Sequence, residues 1–149
     1  KRILPTMMEE KNASKIREDA NEYGGTTCRP RDIAYMDTVM LKYFCRAGGI
    51  EELAFTHMDI VYNEPVKICT GYLVDKKRAE YRPYQWYLDL VKPVYRNFKP
   101  WNGGNLKNRR SLENLQENAR NYIKFISSET GTTPVLLSYG PNREDTIIF

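Results

Sequence analysis

Residues 33–47 read IAYMDTVMLKYFCRA, and beyond Gly48-Gly49 residues 51–55 read EELAF. In the first stretch Ile33, Tyr35, Met36, Val39, Met40, Tyr43, Phe44 and Ala47 recur at the three-and-four spacing of a helix that buries one face. The glycine pair supplies its stop, because glycine takes the left-handed conformation at a helix end at little cost. The second stretch is short and apolar, so Glu52 to Phe55 is predicted as a strand. Helix followed at once by strand points to an α/β layer structure.

The same alternation continues outward. Glu9 to Asn21 is polar and helix-prone, with Ala13, Ile16 and Ala20 suitably spaced. Val66 to Val74 alternates as a strand, and the charged run Asp75 to Arg82 follows as a hairpin tip. Val91 to Phe98 is predicted as a strand that Pro93 confines to an edge, since proline lacks the N–H that a ladder needs. Pro100 to Gly104 reads as a turn. Ser111 to Ser128 carries Leu112, Leu115, Ala119, Tyr122, Ile123 and Ile126 at helical spacing, with Ser111 as the expected N-cap and Gly131 as the stop. Pro134 to Leu137 and Thr146 to Phe149 complete the strands. The expected fold is α/β, a mixed sheet with flanking helices, in one domain spanning residues 1–149.

Composition narrows the function classes. The chain has 149 residues, 41% apolar and 28% charged, with 23 basic against 19 acidic side chains and a net charge of +4. That is an ordinary balance for a globular domain. The mild excess suits a small anionic ligand and does not by itself call for nucleic acid. No apolar run approaches a membrane span, no signal peptide opens the chain, and a cytoplasmic location is expected. Lys1 to Leu4 reads like the interior of a longer protein. Cys28, Cys45 and Cys69 are widely spaced and share the chain with a single histidine, so buried free thiols are expected and a zinc site is not.

Three loops carry residues suited to binding. Gly24-Gly25-Thr26-Thr27-Cys28-Arg29-Pro30-Arg31 combines backbone N–H groups, hydroxyls and two guanidinium forks, a set able to clamp carboxylates. It would equally serve as a surface loop whose arginines pair with Glu22 and Asp32. Thr56-His57-Met58-Asp59 sits at the carboxyl end of a strand, where α/β proteins bind ligands. There the carboxylate of Asp59 could accept from two adjacent donors of a planar base, or simply cap a turn. Ser138-Tyr139-Gly140-Pro141 follows another strand and could line a flat base or form a plain turn. The basic cluster Lys107, Arg109 and Arg110 reads as a solvated turn, with polyanion contact as the sharper reading. The sequence has no glycine-rich phosphate loop with a lysine, no nucleophile–histidine pair and no carboxylate cluster with metal-ligand spacing.

These loops, in this order, resemble the adenylosuccinate synthetase family. The landmarks are Asn21-Glu22-Tyr23-Gly24 leading into Thr26-Thr27-Cys28-Arg29-Pro30-Arg31, then Asp37-Thr38-Val39, Thr56-His57-Met58-Asp59 and Lys67-Ile68-Cys69-Thr70-Gly71-Tyr72. Pro100-Trp101, Glu117 to Ile123 and Gly140-Pro141 follow, with Pro5-Thr6 upstream. The resemblance implies the C-terminal part of a larger, P-loop-like synthetase fold. It implies an enzyme that ligates IMP and L-aspartate with GTP hydrolysis and Mg²⁺, towards AMP, as a homodimer. The 6-oxygen of IMP is phosphorylated, and the aspartate amine then displaces the phosphate.

By the same resemblance, Gly25, Thr26, Thr27 and Arg29 would hold the aspartate carboxylates. Arg29 would also reach the IMP ribose, and Arg31 would lie near the GTP phosphates. His57, Met58 and Asp59 would read the guanine, with Ser138, Tyr139 and Gly140 as the opposite wall. No catalytic residue or metal ligand is expected in this segment, because the family's phosphate loop, catalytic aspartate and catalytic histidine lie in its N-terminal part. The segment alone is expected to be inactive, with no membrane or nucleic-acid partner. Three positions depart from the family's pattern: Cys28 stands where glycine is usual, Asp32 where arginine is common, and His57 where the base-reading segment has lysine. A small basic RNA- or protein-interaction domain, or a synthetase-derived unit without activity, are the alternatives.

Overall fold

The computed structural model describes residues 3–107 and 109–149; Lys1, Arg2 and Asn108 lie outside the described residues, and with Lys1 and Arg2 the start of the Lys1 to Leu4 stretch. The chain divides into two compact units. One holds the described residues up to Val39 together with Lys67–Arg96, and the other holds Met40–Val66 and the described part of Asn97–Phe149.

The first unit is built on β3 (Val66–Val74), which pairs in parallel with β1 (Met36–Asp37) and antiparallel with β4 (Lys77–Ala79). Strand β5 (Lys92–Phe98) also pairs with β3, outside the β1-β3-β4 path, which agrees with the outer position expected from Pro93. The hairpin tip is tighter than predicted. It is the pair Asp75-Lys76, both with positive φ (51° and 64°), between the facing residues Val74 and Lys77. That backbone matches the twist of the flanking strands. Helix α1 (Glu10–Asp19) turns Ala13 and Arg17 inward. Ile68, Cys69, Tyr72, Tyr81, Tyr87 and Leu88 form the buried centre, Tyr87 and Leu88 coming from α3 (Gln85–Leu88).

The helix expected from Ile33 begins only at Thr38, as α2 (Thr38–Gly48). The preceding residues are committed to pairing. Met8 N donates to the Ile33 carbonyl at 3.0 Å and Tyr35 N to that of Thr6 at 2.9 Å, while Met36 and Asp37 lie opposite Ile68 and Cys69. Asp37 is buried at the helix start, where its carboxylate accepts from Val39 N at 3.1 Å and from the Tyr72 hydroxyl. That is N-cap chemistry, and it fixes where the helix begins.

In the second unit β6 (Thr133–Ser138) is central, parallel to β2 (Glu52–Phe55) and antiparallel to β7 (Thr146–Ile148). The α/β character and mixed pairing are as expected; the strands fall into two sheets, one in each unit. Helix α4 (Glu117–Thr130) packs Ala119, Tyr122, Ile123 and Ile126 into a core with Leu106, Leu115 and Leu137. Its start differs from the prediction. Leu112–Asn114 is a short 3-10 turn, and Ser111 makes no side-chain cap. The chain then extends through Leu115, whose carbonyl and that of Glu113 receive the Arg120 guanidinium at 3.5 and 2.7 Å. Gly131 closes the helix at φ 73°, as predicted.

Candidate functional site

In the first unit, the loop at 22–31 is a short two-stranded excursion. Arg31 N donates to the Glu22 carbonyl at 3.0 Å, Gly24 N to that of Arg29 at 2.8 Å, and Cys28 N to that of Gly24 at 2.8 Å. Tyr23 and Pro30 face each other between these bonds. The tip is therefore Gly25-Thr26-Thr27, whose N–H groups donate to no main-chain carbonyl among the described residues. Gly24 has to be bare there: a Cβ would stand 2.7 Å from the Thr27 hydroxyl oxygen. Gly25 to Arg31 are all exposed.

The two arginines differ. Arg31 Nη1 donates to Glu22 Oε2 at 2.9 Å, so one half of the plain-surface reading holds for it. The Arg29 guanidinium has no partner among the described residues. Cys28 is exposed, unlike Cys45 and Cys69, so the expectation of buried thiols fails for it. It adopts φ 51°, the conformation for which glycine is suited. Cys28 thus carries a side chain on a backbone that glycine would adopt at less cost.

The loop's base rests on residues that sequence reasoning did not single out. The guanidinium of Arg17, buried on α1, donates from Nε to the Arg31 carbonyl at 2.9 Å and from Nη1 and Nη2 to Glu10 at 2.7 and 3.3 Å. Its hydrogen bond with Glu10 raises the pKa of Arg17 and lowers that of Glu10. An arginine within a polar helix carries no signal for such a role. On β3, burial pushes the Cys69 thiol up to about 12, with the Asp37 charge adding to it. Burial raises Tyr95 to about 12 as well, and Tyr72 higher still.

In the second unit the structure brings two of the predicted segments together. Met58 N donates to the Ser138 carbonyl at 3.0 Å, joining the turn after β2 to the end of β6. His57 is exposed with φ 56°, another left-handed backbone outside glycine, while Met58 is buried. A strained conformation of this kind costs roughly 1–3 kcal/mol and clusters at ligand-binding turns. The Asp59 carbonyl accepts from Val61 N at 3.0 Å. Its carboxylate does not cap that turn, because Oδ1 is buried and has no hydrogen-bond partner among the described residues.

That turn is braced from one side. Trp101 is buried and donates Nε1–H to the Met58 carbonyl at 2.7 Å. Gly103 presses on Asp59 itself: a Cβ there would lie 2.4 Å from the Asp59 carbonyl oxygen and 2.6 Å from its Cα. The pair Gly103-Gly104 after Trp101 was the available sequence signal for this close approach. A cleft of about 350 Å³ opens beside the brace, lined by Val61, Asn63, Pro100, Trp101, Asn102 and Gln116. None of the predicted base-reading residues lines it, and its Gln116 and Asn102 groups bond each other.

Beyond Ser138, Tyr139 N donates to the Asp145 carbonyl at 2.9 Å, and Asn142 and Asp145 cap the following 3-10 turn. Gly140 is held tightly, since a Cβ would meet the Asp145 carboxylate at 2.5 Å. Lys107, Arg109 and Arg110 are exposed, with Arg109 donating to the Asn105 carbonyl. Trp101, a few positions before that cluster, is buried.

The family model for adenylosuccinate synthetase matches residues 2–147. The adenylosuccinate synthetase of Caldanaerobacter subterraneus subsp. tengcongensis is 38% identical over 147 residues, covering 97% of this chain and 34% of the relative. That of Aquifex aeolicus is 36% identical over 146 residues. The fully ligated adenylosuccinate synthetase from Plasmodium falciparum superposes with a TM-score of 0.91 at 26% identity, over 100% of this chain and 36% of that one. The chain therefore spans about a third of the length of the relatives it matches. It belongs to the adenylosuccinate synthetase family.

Proposed function

We propose that this chain is the C-terminal, substrate-holding segment of an adenylosuccinate synthetase, an enzyme that joins IMP and L-aspartate at the expense of GTP. The observation that carries the proposal is the Asp59 turn. A buried carboxylate oxygen with no hydrogen-bond partner among the described residues sits on a strained turn hydrogen-bonded to Ser138 and braced by Trp101 and Gly103. A buried acceptor without a donor costs on the order of 1–3 kcal/mol. The ring N–H and exocyclic amine of guanine are the donors that would relieve it. His57 and Met58 would lie against that base, with Ser138, Tyr139 and Gly140 as the opposite wall.

The second part concerns the loop at 22–31. The tip N–H groups, the hydroxyls of Thr26 and Thr27 and the free Arg29 fork suit the two carboxylates of L-aspartate, with Arg29 extending to the ribose of IMP. Arg31 would serve the GTP phosphates. These residues bind and orient; holding the amine against the phosphorylated 6-position is worth a large effective concentration. Assignment to the C-terminal third is supported by the lack of a phosphate loop in the sequence. No group of three His, Cys, Asp or Glu side chains placed to hold a metal ion is found among the described residues, and no step is routed through Mg²⁺. The segment acts as one piece of a dimeric cytoplasmic enzyme and does not turn over by itself.

The test is aspartate-dependent phosphate release from IMP by the full-length polypeptide that carries this segment, first with GTP and then with ATP. Release with GTP that falls at least about tenfold with ATP is expected. Equal rates with both donors would remove guanine reading from the Asp59 turn, and no release with either would end the synthetase reading.

A further inference from the structure

Glu22 stands beside the loop that the proposed function assigns to substrate, and the inference rests on that assignment. We propose that Glu22 is a positioning residue, which presents the outer edge of the Arg31 guanidinium to an anionic phosphate ligand.

Arg31 is fixed at three points. Its amide donates to the Glu22 carbonyl at 3.0 Å, its carbonyl accepts from Arg17 Nε at 2.9 Å, and its Nη1 donates to Glu22 Oε2 at 2.9 Å. The support is itself built in, because Arg17 is buried and tied to Glu10 through both terminal nitrogens. The Glu22 side chain is 20% exposed and that of Arg31 59%, so the carboxylate forms the wall and the guanidinium faces outward.

The contact is single-toothed. One nitrogen meets one oxygen, while Nε and Nη2 make no hydrogen bond among the described residues. A guanidinium held in this way keeps a two-donor edge for an anion, and the planar fork is already oriented. An exposed ion pair contributes little to stability, so its consequence lies in orientation. Holding a long side chain before binding avoids an entropy loss worth about three- to tenfold in affinity.

The experiment uses the full-length polypeptide that carries this segment, with ¹⁵N-labelled arginine, following the side-chain Nε–H signals during titration with inorganic triphosphate at low salt. In the native sequence the Arg31 signal should show hindered rotation about its Nε–Cζ bond and should shift with triphosphate. Glu22→Ala should free the rotation and weaken binding about three- to tenfold, with the thermal unfolding profile unchanged. Glu22→Gln keeps an acceptor for Nη1, so it should keep the hindered rotation and bind at least as tightly as the native chain. Triphosphate binding indifferent to Glu22→Ala, or tightened by it, overturns the positioning role alone. Silence of both Arg29 and Arg31 in all three proteins overturns the reading of the loop and this inference together.

Discussion

Cys28 shows how one residue records a conformational demand. Its φ of 51° puts a Cβ-bearing side chain where glycine is cheapest. Cys28→Gly should therefore stabilise the chain by about 0.5–1 kcal/mol, less the extra freedom that glycine gains on unfolding. Cys28→Val should destabilise it, because a branched Cβ is least tolerated at positive φ. Urea unfolding midpoints of the two variants check this, and a shift of both in the same direction would contradict it. At this scale the sequence was informative where a residue type has one main use. Gly131 was legible as a helix stop, whereas Asp59 stood open between accepting from a planar base and capping a turn. Arg17 was illegible, since burial of an arginine depends on partners fourteen and seven positions away along the chain.

Elements were legible where their pattern is long and regular. Strand β3 matches its predicted range, Val66 to Val74, although its burial does not simply alternate, since the neighbours Ile68 and Cys69 are both buried. The start of α2 was not, because Ile33 to Asp37 satisfy helical spacing equally well and pairing with Thr6, Met8 and β3 decides between the two. The same holds for α4, where reach-back by Arg120 splits an apparently continuous helix. The turn carrying Asp59 is likewise an element whose shape comes from a distant neighbour. Gly103→Ala would drive a methyl into the Asp59 backbone, so the turn must move or the brace must open. The expected cost is roughly 1–3 kcal/mol of stability, as for overpacking elsewhere. Binding of a fluorescent guanine nucleotide to the full-length polypeptide should weaken with it. A Gly103→Ala protein of native stability and native nucleotide affinity would show that the close approach is not needed.

Across the whole molecule, burial holds several acidic groups in their neutral form. Cys69, Tyr95 and Tyr122 are each pushed up to about 12, from ordinary values of 9.0 for the thiol and 10.0 for the phenols, and Tyr72 is raised further. Between those values the unfolded chain has lost protons that the folded chain keeps, so stability falls as pH rises. The fold should be insensitive to these groups below about pH 9 and should weaken progressively from there to about pH 12. Urea midpoints across that range check the sign; constant midpoints would contradict it. Titration with a thiol reagent at pH 8 should find Cys28 alone reactive until the chain unfolds.

The family assignment also belongs to this scale, because it was legible only from landmarks spread along nearly the whole chain; no single loop carried it. What that assignment claims for the molecule is tested most directly at Arg29, whose guanidinium has no partner among the described residues. In the full-length polypeptide, Arg29→Leu should raise the KM for L-aspartate about a hundredfold, as expected for loss of a charge-assisted bidentate contact, and leave the KM for GTP within about twofold. An unchanged KM for L-aspartate would contradict the assignment of this loop to the amino-acid substrate.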